Sequence, residues 1–175
     1  MHDTDREALE KARRETRAAF ENRALMYHYI FQEFAEEIGG SRTAELMKRA
    51  IRRRGREGGT KYLEAAQAGD LDTVGRIFCE GSASEGALFE PGVESRGEGV
   101  VVLRMTACPL VDAWRSLDLP AEEIDALCEI AAAVDEGTFE GAGLELTFLD
   151  RLGCPGSSRC LLELRLVGQS SESAR

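Results

Sequence analysis

The pattern of hydrophobic residues changes at Gly81-Ser82-Ala83-Ser84, and this boundary constrains the fold more than any motif in the chain. Before it, Phe20, Ala24, Tyr27, Phe31, Phe34 and Ile38 step by four and three residues, which is one apolar stripe on a helix. After it, the run from Gly99 to Thr106 is β-branched and apolar, as expected of a central strand. Residues 87–95 read as its hairpin partner, with Arg96-Gly97 at the turn. Two further strands are expected at 144–149 and 160–166, both partly alternating.

Local signals punctuate the rest. Gly39-Gly40 ends the first helix, which spans about 5–38, and Ser41 with Glu45 is placed to cap a second over 42–54. Residues 60–68 read as helical, and Asp70 can cap a short helix carrying Leu71, Val74, Ile77 and Phe78. Pro109 opens a helix bearing Trp114, and Pro120 opens a longer one that Gly137 is expected to end. The fold class is therefore α+β, with N-terminal helices packed on a four-stranded antiparallel sheet in ββ-α-ββ order. We expect one domain over 1–168, helical over about 5–80 and sheet-bearing over about 86–167, with a disordered serine-rich tail at 169–175. A chain of 175 residues buries roughly 70% of its unfolded surface, enough for a core without staples.

Charge narrows the partners. Lys and Arg number 22 against 32 Asp and Glu, a formal charge of −10 that repels nucleic acid and anionic membranes. The start Met1-His2-Asp3-Thr4-Asp5-Arg6-Glu7 lacks the apolar stretch of a secretory signal, so a cytoplasmic location is expected. In a reducing compartment five cysteines act as thiols, ligands or nucleophiles, and the odd count argues against a disulfide framework.

Cys108 stands where a strand hands over to a helix, just before Pro109. A helix N-terminus stabilises a thiolate and lowers its pKa, which suits a nucleophile or a metal ligand; the plain alternative is an inert packed cysteine. Cys128 and Asp135 lie seven residues apart and share a face if their helix is continuous. Cys108, Cys128 and Cys160 could meet in space and would then favour zinc or a similar thiophilic metal. Cys154 and Cys160 lack the spacing of a structural zinc knuckle, and Cys79 beside Phe78 reads as core. His28 reads as a packed structural histidine, and there is no HExxH, Walker A or GxSxG motif. Arg52-Arg53-Arg54-Gly55-Arg56 is either a solvated helix end or a holder for a substrate carboxylate.

Taken together, Cys108-Pro109, the tryptophan-bearing helix, Leu119-Pro120, Cys128 with Asp135, and a last strand entered through Cys160 resemble the L-2-amino-thiazoline-4-carboxylic acid hydrolase family. The arginine run and Gly58-Gly59 are similar to that family's N-terminal part, and the resemblance spans roughly residues 20–167. It implies hydrolytic opening of a thiazoline ring to N-carbamoyl-cysteine. Cys108 would be the activated thiol, Cys128 its partner, Asp135 the orienting base, and Arg54 and Cys160 would bind substrate. In a metal-assisted version the three cysteines would hold the cation that activates water. Ala107 departs from the arginine expected before the cysteine, and the loop 153–159 is less regular than the family's glycine-acid turn. The element order is also similar to vinyl-reductase-type ligand-binding domains, which implies an alternative: a cytoplasmic sensor without catalysis. Expected partners are a small carboxylate substrate, no nucleic acid and no membrane, with a homo-oligomer left open.

Overall fold

A computed structural model describes residues 3–168. His2 and the tail at 169–175 lie outside the described residues. The chain runs α1 (Asp3–Ile38), α2 (Gly40–Gly58), a 3-10 turn at Gly59–Tyr62, α3 (Leu63–Gln67) and α4 (Leu71–Glu80). Strands β1 (Pro91–Gly97) and β2 (Val100–Met105) follow, then α5 (Pro109–Ser116), α6 (Ala121–Gly141), β3 (Leu144–Asp150) and β4 (Cys160–Leu166). The four strands form one antiparallel sheet in the order β1-β2-β4-β3. This is the expected α+β architecture, with β2 and β4 central. Among the described residues no helix is long and apolar enough to cross a membrane.

Register explains where the core ends and open space begins. Val101 pairs with Leu164 and Leu103 with Leu162, all four at or below 1% exposure, and β3 adds Leu146 and Phe148 to the same rows. The next row is Met105 opposite Cys160. It reaches the end of the sheet where β2 leads into Cys108 and β4 begins. On α4, Gly75 lets the helix approach the sheet, since a Cβ there would lie 3.1 Å from Val93 and 3.5 Å from Leu103. Trp114 of α5 is fully buried and donates its indole N–H to the Ala24 carbonyl of α1 at 2.9 Å, which joins these two helices.

Some boundaries differ from the sequence reading. The hairpin turn is Glu98-Gly99 rather than Arg96-Gly97, because Gly99 takes φ +67° and can close a two-residue turn at no steric cost. Helix α2 starts at Gly40, so Ser41 lies inside it and does not cap; Gly39 occupies the cap position at φ 82°. Asp70 does cap α4, accepting the Thr73 N–H at 2.9 Å.

Gly137 does not end α6, which continues to Gly141. The glycine serves packing instead. A Cβ at Gly137 would lie 2.0 Å from the Arg52 carbonyl oxygen, and one at Gly55 would lie 2.2 Å from that of Val134. Gly59 and Gly141 repeat the pattern further along, at 2.3 Å from the Thr138 carbonyl oxygen and 2.7 Å from that of Arg56. Two backbones thus press together along one seam, and any side chain in it forces them apart.

Gly137→Ala and Gly55→Ala should therefore each destabilise the fold by about 3 kcal/mol or more. Gly58→Ala, whose Cβ would lie 3.8 Å from the Thr138 hydroxyl, should be neutral or stabilising by about 0.5 kcal/mol. Urea denaturation of the three variants checks this, and equal midpoints would refute the seam.

Candidate active site

A cavity of about 340 Å³ opens where the sheet ends. Helix α6 contributes Cys128, Ala131, Ala132, Val134, Asp135 and Thr138 to one wall. The strand ends and their extensions supply Met105, Cys108, Phe148, Arg151 and Cys160. Phe20 and Arg23 of α1, Lys61 and Tyr62 of the 3-10 turn, and Phe78 and Phe89 complete it. Four of the residues singled out from sequence, Cys108, Cys128, Asp135 and Cys160, thus line one space. The fifth does not. Arg54 points into solvent with its side chain 71% exposed, pairs with Glu57 at 3.4 Å, and is no part of the cavity wall.

Cys108 stands at the N-cap position of α5, and its side chain makes no capping hydrogen bond. The expected lowering of its pKa is overturned: burial dominates and the nearby Asp112 and Asp135 charges add to it, so the thiol titrates above its usual range although the Val111 and Leu110 backbone favours the thiolate. Burial also pushes Cys128 up to about 11, although the Gly153 backbone and the Arg151 charge favour its thiolate. Cys160 is pushed up to about 12 by burial, although its sulfur accepts the Leu152 N–H at 3.2 Å. Gly153 is required here, because a Cβ would come within 2.3 Å of the Cys128 Cβ and 2.7 Å of its sulfur. The three sulfurs are close enough for each charge to disfavour the others, so all three rest as neutral thiols near pH 7.

Asp135 is the other reactive group. Burial, and secondarily the Glu136 charge, raises its carboxyl to about 7. Its surface faces the cavity, and among the described residues it has neither a hydrogen bond nor an ion pair. An unpaired, half-buried carboxyl near neutrality is poised to take or give a proton. Burial of Tyr62, and secondarily the Asp135 charge, lifts that phenol above the usual tyrosine range.

Three cations border the cavity that sequence reasoning did not identify. Arg151 donates to Asp125 at 2.7 Å, and its buried Nε has no partner among the described residues. Arg23 lies over the Phe20 ring at 4.6 Å and Lys61 over the Tyr62 ring at 4.8 Å. One signal for Arg23 was available: it follows Phe20 by three residues, so it borders the apolar stripe of α1. Nothing in sequence distinguished Lys61 or Arg151. His28 is 4% exposed beside Glu123 and away from the cavity, the packed position expected of it. Among the described residues no three His, Cys, Asp or Glu side chains are placed to hold a metal ion, so the cysteine trio is not a ligand set.

The family profile described as L-2-amino-thiazoline-4-carboxylic acid hydrolase matches residues 17–161. The chain belongs to this hydrolase family. The match spans all of the cavity-lining cysteines and Asp135, so membership supports a hydrolase-like function for the chain that builds this site. Among solved structures, the hydrolase-family chain is similar to a trafficking protein particle complex subunit 3 from Naegleria fowleri, crystallised covalently bound to palmitic acid. That similarity has a TM-score of 0.48 and 11% identity, over 85% of this chain and 95% of the other. No curated protein sequence matches.

In this hydrolase-family chain, the Asp135 carboxyl rises from 3.8 unfolded to about 7 folded. Between those values the folded state holds a proton that the unfolded state has lost, so stability falls as pH rises across the window and is level above it. Asp135→Asn should remove this dependence. The variant should match the parent at pH 3 and exceed it by roughly 4 kcal/mol at pH 8. Urea midpoints at the two pH values measure it, and parallel curves for parent and variant would show that the carboxyl is not held neutral.

Proposed function

We propose that this chain hydrolyses a small cyclic amidine of the 2-amino-thiazoline-4-carboxylate type, using Cys108 as nucleophile and Asp135 as proton carrier. The observation that carries the reading is Asp135: unpaired among the described residues, facing the cavity, and titrating at about 7 in the same cavity as a thiol at the N-terminus of α5. A base is most effective when its pKa lies near the working pH.

The chemistry follows from these groups. Ionised Asp135 takes the proton from Cys108. The free N–H groups at the start of α5 favour the thiolate, offsetting part of the cost that burial imposes. The sulfur attacks the ring's amidine carbon, and the ring nitrogen collects the proton. The ring carbon–sulfur bond then breaks, and the departing sulfur is protonated. Cys128 and Cys160, neutral with pKa values of about 11 and 12, offer S–H donors to that sulfur. Water next adds to the same carbon with Asp135 as base, Cys108 leaves as a thiol, and the ureido product is released. One water is consumed overall, and no step draws on a metal or redox partner. For the substrate carboxylate, the guanidinium of Arg151, which lines the cavity near Cys128, is the cation of this reading. Arg54 has no part in this reading.

Incubation with L-2-amino-thiazoline-4-carboxylate should yield N-carbamoyl-cysteine by mass spectrometry. kcat/KM should rise with pH up to a plateau just above 7, because Asp135 must be ionised to act. Cys108→Ala and Asp135→Asn should each lower kcat/KM by about 100-fold or more, with circular dichroism unchanged. Full activity in both variants would sink the assignment. Stoichiometric binding without product would favour the non-catalytic sensor instead.

A further inference from the structure

The bare ring leaves much of this cavity unused. Helix α6 lines it from Cys128 to Thr138, about 15 Å of helix at 1.5 Å per residue. The reactive groups occupy only part of that length. A volume of about 340 Å³ lies in the range of roughly 300–1,000 Å³ that houses drug-sized ligands, well beyond one five-membered ring with a carboxylate. The rest of the wall is rich in aromatic rings. Tyr62 packs on Phe139 at 5.3 Å, and Phe20 meets Phe89 edge-on at 5.1 Å.

Arg23 and Lys61 border these rings. Both are solvent-exposed, both lie over an aromatic face, and neither has an acidic partner among the described residues. Of the three cations that line the cavity among the described residues, Arg151 is paired with Asp125 and these two are not. Lys48, Arg52 and Arg56, all on α2, are paired with Glu129 and Glu140 of α6. Two unpaired cations on apolar ledges form a receptor for an anion reached across an apolar path.

We propose that the substrate of this site is an extended one: a carboxylated cyclic amidine whose apolar arm ends in a second anionic group, held by Arg23 and Lys61. The proposal rests on the hydrolase reading for the ring end. The arm-binding end is tested separately, by binding alone. The probes are decanoate and decanedioate, which share an apolar chain and differ in the second carboxylate. Calorimetric titration at pH 6 keeps Asp135 largely protonated and removes its repulsion.

Decanedioate should bind about tenfold more tightly than decanoate. In Arg23→Gln/Lys61→Gln, two exposed positions that leave the core untouched, that advantage should shrink to about twofold or less. Equal affinities in the parent, no binding of either acid, or an advantage that survives in the double variant would each overturn the proposal. If the diacid is preferred as described yet no thiazoline is turned over, the hydrolase reading fails and the anion-ended arm site stands. If the bare thiazoline is hydrolysed but the diacid gains nothing, only the arm site fails.

Discussion

The seam between α2 and α6 sets the geometry on which everything else depends. Gly55 and Gly59 on one side, and Gly137 and Gly141 on the other, allow backbone to meet backbone. Dispersion across such a contact is large only when no gap remains, so the seam has one well-packed position. The Thr138 hydroxyl fixes it further, donating to the carbonyls of Gly55 at 3.2 Å and Val134 at 2.8 Å. Arg52 and Arg56 clamp Glu140 from the solvent side. Each of those exposed ion pairs is worth about 1 kcal/mol or less, so they set register more than stability. Val134 and Thr138 also line the cavity. The backbone of α2 is therefore the backing of the cavity wall, and it keeps water from approaching α6 from behind.

That backing has an electrostatic consequence. Asp135 is carried inward on a helix that cannot retreat, and among the described residues no cation or hydrogen-bond donor is paired with it. Its carboxyl rises to about 7, which costs stability at neutral pH. An ordinary surface would remove this cost with a paired arginine, and the pKa would fall with it. The same dry surroundings hold Cys108, Cys128 and Cys160 neutral. Proton transfer among such groups occurs only when Asp135 is ionised, and a buried carboxylate finds its relief in taking a proton back.

Much of this was legible in sequence, and the failures share a cause. The apolar stripe of α1, the central strand β2, Pro109 opening α5 and Asp70 capping α4 all depend on neighbours within one turn. Periodicity put Cys128 and Asp135 on one helix face, but it left open whether Cys108 and Cys160 would join them, and only the packing of α6 against the strand ends brings all four to one cavity. Gly137 was misread because a glycine that stops a helix and one that admits a neighbouring backbone look the same in one dimension. The direction of the Cys108 shift was misread because a helix N-terminus is a local feature, whereas desolvation depends on the whole cavity. The hairpin slipped by two residues because Arg96-Gly97 and Glu98-Gly99 both carry a glycine, and strand pairing chose between them.

The arginine run shows how tertiary structure allots residues that look equivalent. Arg52, Arg54 and Arg56 lie within five positions, and any of them could have held a substrate carboxylate. Helix periodicity places Arg52 and Arg56 one turn apart on the same face, and both reach Glu140 of α6. Arg54 falls between them, on the opposite face, and is left to solvent and Glu57. The seam thus commits the run to α6 and keeps it out of the cavity. A cation for the substrate must come from positions that face the cavity rather than its back. Arg23 beside the stripe of α1, Lys61 in the turn after Gly59, and Arg151 just beyond β3 meet that condition. Such positions depend on how the elements dock against one another, and a linear pattern does not encode that.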